Sequence, residues 1–338
     1  MVEPERRSKW ITHLWPTEIE HSERIQVLQE TDGSLPFYSR YQAGEFREVW
    51  MDLAALGDAV WLDPIAADVL AVCFETMHRA KTNIEILVGA LQAEGYDFHT
   101  AVYSPYWRRS QRMREWVESH DESAQLVVAS MQEPLTKLPE PVRSQMNAER
   151  KRRLPSAMET ARHFRDHRLG IVRPLEPFPP GVARGWLRKI TSPAGDLPLS
   201  LRAWYSTIGC VNLVGRHPEV SPPGLESDPL FVAPIKCVVD ACEAWQEDYA
   251  GAKERPPFRV PISPSRSVKD GSSAEGDHYV ITLPRATLDA VIENEPHGLG
   301  FVDYLRLAFE WGGFPGDADM PDKAPALIYR LKDRLLPI

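Results

Sequence analysis

The sequence lacks the cysteine pattern of a secreted or zinc-binding protein. It has four cysteines in 338 residues and no Cys-x-x-Cys pair (Cys73, Cys210, Cys237 and Cys242). A disulfide framework needs an oxidising compartment, and a structural zinc site needs clustered thiolates. We therefore predict reduced structural thiols and a cytoplasmic protein.

Long apolar runs are also missing. The first ten residues, MVEPERRSKW, lack the apolar segment of a signal peptide. No stretch approaches the roughly 18 apolar residues that a membrane-spanning helix needs. The sequence therefore predicts no membrane partner.

Motifs of the common enzyme classes are absent from the sequence. It has no Gly-x-Ser-x-Gly nucleophile turn and no glycine-rich phosphate loop. Asp317, Asp319 and Asp322 alternate along the chain, but the glycine and terminal glutamate of a calcium loop are missing. His163 and His167 have a spacing that suits a metal on a helix, yet no third ligand is evident. We expect no catalytic residue, no metal and no cofactor.

Positive charge is scarce overall but locally concentrated. The formal net charge is −9, while residues 101–170 hold 13 Lys and Arg against 9 Asp and Glu, so this segment is +4 and the remainder −13. The run Arg150–Arg153 indicates a candidate nucleic-acid surface, although Glu149 interrupts the positive charge beside it. A solvated helix face accounts for such a run more simply. Nucleic-acid binding through residues 101–170 stays an alternative hypothesis.

The strongest fold signal lies between Asp196 and Gly215. Four apolar side chains recur at helical spacing (Leu201, Trp204, Tyr205 and Ile208). We expect Asp196 to cap this helix, Pro198 to lie in its first turn and Gly209 to end it in a left-handed conformation. Residues 211–214 then alternate as a short strand does. The pattern predicts a helix followed directly by a strand.

The remaining periodicity predicts an α+β protein with two domains. Apolar stripes indicate two antiparallel helices over residues 44–95, and shorter helices follow up to residue 167, with breaks at prolines that include Pro155. The proline-rich stretch 173–181 marks a boundary between residues 1–172 and 173–338. In the second half we expect strands at 230–234, 258–262 and 278–283 and helices near 238–245, 301–311 and 324–335.

LPLSLRAWYSTIGCVNLVG resembles the SUKH superfamily, in which a helix starting at Leu-Pro leads through a glycine into an antiparallel sheet. The resemblance covers roughly residues 183–313. HGLGFVDYLRLAFEWGGFPG and the terminal LLPI also resemble a bacterial family that carries this module behind a helical region with a YQAGEFREVW-type start. The resemblance implies a helical N-terminal domain followed by a SUKH-like antiparallel sheet with peripheral helices. It also implies protein binding, because many members look like immunity proteins that block a toxin.

Three residues are candidates for a binding site. His217 and Glu219 lie together in the loop after the predicted strand and could serve acid–base chemistry. Trp311, beside two glycines, could form a platform for a ligand, although hydrophobic core explains it more simply. The leading hypothesis is a non-catalytic intracellular module with a protein partner, such as a toxin. The alternative is an enzyme with its site between the domains, which convergent ionisable groups in a cleft would favour.

Overall fold

The computed structural model describes residues 21–32, 35–99, 111–136, 138–169, 172–176, 182–220, 227–270 and 276–338. Most of this chain is helical. The helices are α1 His21–Asp32, α2 Pro36–Gln42, α3 Phe46–Ala55, α4 Ile65–Ala93, α5 Gln111–Gln132, α6 Glu140–Leu169, α7 Val182–Ala194, α8 Leu199–Thr207, α9 Ile235–Asp248, α10 Arg266–Lys269, α11 Phe301–Glu310 and α12 Ala326–Lys332. Short 3₁₀ segments lie at Gly57–Trp61, Pro315–Asp319 and Pro321–Lys323.

The strands form three small antiparallel sheets. They are β1 Asp97–Phe98, β2 Leu175–Glu176, β3 Cys210–Asn212, β4 Gly215–Arg216, β5 Phe231–Val232, β6 Arg259–Ser263 and β7 Tyr279–Thr282. β1 pairs with β4, β3 lies between β2 and β5, and β6 pairs with β7. The α+β class predicted from the sequence is confirmed.

The main hydrophobic core is built from both ends of the chain. One buried cluster contains residues from Ile25 to Tyr96 and from Leu187 to Ile338. Trp204 of α8 is fully buried in it and meets Phe301 edge-on, with ring centroids 5.5 Å apart. The long helix α4 packs against α8. This core includes residues on both sides of residue 172, so it does not mark a domain boundary there. The division into two domains stays a prediction.

The helix and the strand that follows it are both present, but the helix starts differently from the prediction and the strand is Cys210–Asn212 rather than 211–214. Gly209 has φ +88°, a left-handed conformation that glycine adopts without steric cost, and β3 begins at the next residue. The N-cap of α8 is Pro198 and the helix begins at Leu199, so the predicted cap at Asp196 and the predicted first-turn position of Pro198 are both wrong. Asp196 instead forms an ion pair with Arg202 at 2.8 Å, because it precedes the helix by too many residues to reach its free N–H groups.

Helices α5 and α6 form a hairpin that is inserted between β1 and β2. The separate shorter helices predicted here are wrong, since Glu140–Leu169 is continuous and contains Pro155. A proline removes one backbone hydrogen bond, but α6 packs closely against α5, and Ala157, two residues after Pro155, lines the groove between the two helices. Within the described residues of the hairpin, none belongs to the main core cluster.

The base of the hairpin is held by the buried amide of Asn212 in β3. Its Nδ2 donates to the carbonyl of His99 at 2.7 Å and to that of Val172 at 3.0 Å. Its Oδ1 accepts the backbone N–H of Val214 at 3.0 Å. His99 precedes the insertion and Val172 follows it, so one side chain joins the two ends of the hairpin to the body.

Candidate functional site

His217 and Glu219 lie together, as their spacing predicts, and order the loop after β4. The Nδ1 atom of His217 accepts the backbone N–H of Glu219 at 3.2 Å, which leaves Nε2 to donate to the carbonyl of Glu94 at 3.1 Å. The ring stacks on Tyr96 with a 16° interplanar angle. Both imidazole nitrogens therefore have backbone partners, and the acid–base role stays a prediction.

Trp311 lies elsewhere, at the C-terminal end of α11. It is half-buried and meets Tyr329 edge-on, with centroids 6.2 Å apart. It lines a cleft of about 550 Å³ between α11 and residues 332–338. Buried Arg306 forms one wall and donates to the carbonyl of Ile338 at 2.9 Å. Neither His217 nor Glu219 lines this cleft, so the three predicted site residues do not share one site.

The structure also contains a chain of alternating charges that sequence reasoning missed. Six side chains follow one another in this charge chain (Glu295, His297, Asp319, Arg266, Asp228 and Lys269). The successive nitrogen–oxygen distances are 2.7, 3.0, 2.5, 3.9 and 2.5 Å. The hydroxyl of Tyr279 donates to Asp228 at 3.1 Å. The charge chain ties together segments that are distant in sequence, which is why no local motif announces it.

Burial and pairing shift the pKa of several of these groups. Burial lowers the pKa of Lys269, while Asp228 opposes that change. Burial raises the pKa of Asp319, but hydrogen bonds from Arg266 and His297 outweigh it and leave the pKa below its ordinary value. Asp317 is fully buried and neither carboxylate oxygen has a hydrogen-bond partner, so burial raises its pKa to about 7 although Arg266 lowers it.

These ionisable groups lie close together, as those of an active site do, but they do not line the Trp311 cleft or the groove on the hairpin. The side chains of Lys269 and Asp228 are 0% and 1% exposed. No member of the charge chain lines the Trp311 cleft or the hairpin groove described below. In the part of the chain that the structure describes, no group of three or more His, Cys, Asp or Glu side chains is arranged to hold a metal ion. The side chains of His163 and His167 lie outside that part.

The four cysteines are all buried and none forms a disulfide. Burial raises the pKa of the Cys242 thiol to about 12, although a hydrogen bond from Gln246 lowers it. A thiol with so high a pKa is a poor nucleophile at neutral pH. These observations support the structural interpretation of the cysteines.

A groove of about 500 Å³ runs between α5 and α6. It is mainly apolar and is lined by Ala124, Val127, Met131, Arg152, Arg153, Ser156, Ala157 and Thr160. Large apolar side chains elsewhere on the hairpin are also open to solvent, with exposed fractions of 40–70% (Leu126, Val142, Met146 and Met158). Val127 in the groove is 46% exposed. We call the groove formed by the eight lining residues the hairpin groove.

No protein-family model, curated protein or solved structure matches the chain. The resemblance to the SUKH superfamily therefore stays a prediction. Across the described residues, every helix is too short or too polar to cross a lipid bilayer.

Proposed function

We propose that this protein is a non-catalytic protein-binding module, and that the hairpin groove receives an amphipathic helix of another protein. The observation that carries the proposal is the exposed apolar lining of the groove, which includes Val127. Isolated apolar residues are common on protein surfaces, but a continuous apolar groove supports a binding site.

Two helices alone leave apolar faces uncovered, and this favours a helical occupant. Ala124, Met131 and Ala157 face the α5–α6 interface yet remain only half-buried. A third helix laid between α5 and α6 would cover them, as it does in helical bundles. Each methylene group that such a helix removes from water contributes about 0.8 kcal/mol.

The rim of the groove favours an occupant with acidic flanks. Arg152 and Arg153 line the groove with side chains that are 73% and 64% exposed. Both contact Glu149, so residues 149–153 hold four cations and one anion. Complementary charge at a rim raises the association rate and the selectivity for acidic partners.

The identity of the partner follows from the sequence resemblance as a further part of the proposal. A SUKH-like module in a bacterial cytoplasm would bind and block a toxin. The hairpin would then be part of the helical half that distinguishes this chain from a SUKH domain alone. The charge chain would serve the stability of the body.

Photo-crosslinking tests the proposal. A photoreactive amino acid at Val127 should crosslink one specific protein in cells of the source organism, and the same residue at Val291 should not. Val291 is a suitable control because it is 60% exposed and does not belong to the hairpin. The crosslinked protein must then bind the purified full-length chain.

Binding of that purified protein should weaken on the change Val127→Glu and persist on Val291→Glu. Glutamate at an exposed helix position leaves the fold intact, since it favours helix more than valine does. Crosslinks that occur only within the chain itself, or equally from both positions, would contradict the proposal.

A further inference from the structure

His297 is held between two carboxylates. Its Nδ1 lies 2.7 Å from Oε1 of Glu295, and its Nε2 lies 3.0 Å from Oδ1 of Asp319. Glu295 is fully buried and also accepts the backbone N–H groups of His297 and Leu299 at 2.9 and 3.1 Å. Asp319 accepts from Arg266 at 2.5 Å. The histidine is therefore the link between the turn at residues 295–299 and the 3₁₀ segment Pro315–Asp319.

This geometry requires a proton on each ring nitrogen. An ionised carboxylate only accepts hydrogen bonds, and neutral imidazole has one donor and one acceptor. If His297 loses one proton, a nitrogen lone pair faces a carboxylate oxygen and one of the two contacts must break. Only the imidazolium form satisfies both neighbours.

We propose that His297 is a pH-sensitive latch: its doubly protonated ring ties Pro315–Asp319 to the turn at residues 295–299, and loss of one ring proton releases that tie. In the released state Asp319 keeps Arg266 alone, and the segment opens locally. Gly316 donates its N–H to the carbonyl of Ser227 at 3.0 Å, so this hydrogen bond reports on the opening.

The charged surroundings favour the protonated latch near neutral pH. Burial lowers the pKa of His297, but the hydrogen bonds to Glu295 and Asp319 outweigh it and raise the pKa above the ordinary value of 6.5. The remaining ionisable groups of the cluster come from four further segments and from the 3₁₀ segment itself (Asp228, Arg266 and Lys269, Tyr279, Tyr304, and Asp317). With His297 protonated, the charge chain alternates without a break from Glu295 to Lys269.

Hydrogen exchange of the full-length protein tests the latch. The comparison is made in the Asp317→Asn background, because the buried Asp317 carboxyl of the same segment also titrates near neutral pH. The protection of the Gly316 amide, corrected for intrinsic exchange, should fall as the ring of His297 loses its proton, with the same midpoint. The ring nitrogen shifts of His297 in an NMR titration should show imidazolium at pH 6 and the loss of one ring proton at higher pH.

The variant His297→Gln gives the decisive comparison. The glutamine amide has a single nitrogen, so it cannot replace the two separate donors of the imidazolium ring. In the Asp317→Asn background, its Gly316 protection should be low at pH 6 and independent of pH. His78→Gln, at an exposed position on α4, should keep the wild-type pH dependence. A pH dependence that survives in His297→Gln, or a ring of His297 that is neutral at pH 6, would overturn the proposal.

Discussion

Replacing Asp317 with asparagine should remove part of the pH dependence of stability. Asp317 is 0% exposed, and neither of its carboxylate oxygens has a hydrogen-bond partner. Burial raises its pKa from 3.8 to about 7, and Arg266 lowers it by less. The ionised form is therefore disfavoured in the folded protein relative to the unfolded chain.

The sign and size follow from proton linkage. A folded-state pKa above the unfolded one gives stability that is complete below pH 3.8 and is lost as the pH rises through about 7. Between pH 6 and pH 8 the folded state loses most of one bound proton, and the free energy of unfolding falls by about 1.4 kcal/mol. Asparagine keeps the shape of the protonated carboxyl and has no such loss.

Urea unfolding of both proteins at pH 6 and pH 8 measures this effect. The free energy of unfolding of the variant relative to that of the wild type should rise by about 1.4 kcal/mol from pH 6 to pH 8, with an unchanged m value. The comparison cancels the contribution of His297, which has the same sign and is present in both proteins. A difference between the two proteins that is the same at both pH values would refute the reasoning.

Three other variants or assays follow from the fold. Trp204→Ala should lower the free energy of unfolding by about 3–5 kcal/mol in thermal or urea melts, whereas Trp204→Phe should cost far less because the indole N–H has no partner to lose. Asn212→Ala should cost about 2–3 kcal/mol and expose the hairpin base to limited proteolysis, because the carbonyls of His99 and Val172 lose their donor; an unchanged digest would contradict this role of Asn212. Fluorescence anisotropy should find no DNA or RNA complex tighter than about 10⁻⁶ M at physiological salt, because the rest of the chain carries a net charge of −13 that repels a polyanion. A salt-sensitive nanomolar complex would contradict this.

Local patterns in the sequence predicted the elements that local forces form. The stripe from Leu201 to Ile208 and the left-handed Gly209 needed only helical periodicity and glycine's conformational freedom, and both are confirmed. Pro155 misled the prediction because its cost is offset by packing across the hairpin, which a single helix does not reveal.

The site residues depended on contacts between distant segments, which the sequence does not display. Asp317 and Asp319 were noticed for their spacing, yet Arg266 lies 53 residues before Asp319 and determines what that carboxylate does. The basic run in α6 was also evident. The apolar groove beside it could not be recognised from the sequence, because only the structure shows that Val127 is exposed.

The most direct test of the account is the affinity of the protein crosslinked from Val127 for two matched variants. Isothermal titration with purified full-length chains should give a Kd at least about tenfold weaker for Val127→Glu, a loss of roughly 1.4 kcal/mol, and an unchanged Kd for Val291→Glu. Reversal of the rim charge in Arg152→Glu should also weaken binding, more strongly at low salt. Equal affinities of Val127→Glu and Val291→Glu would show that the hairpin groove is not the docking surface.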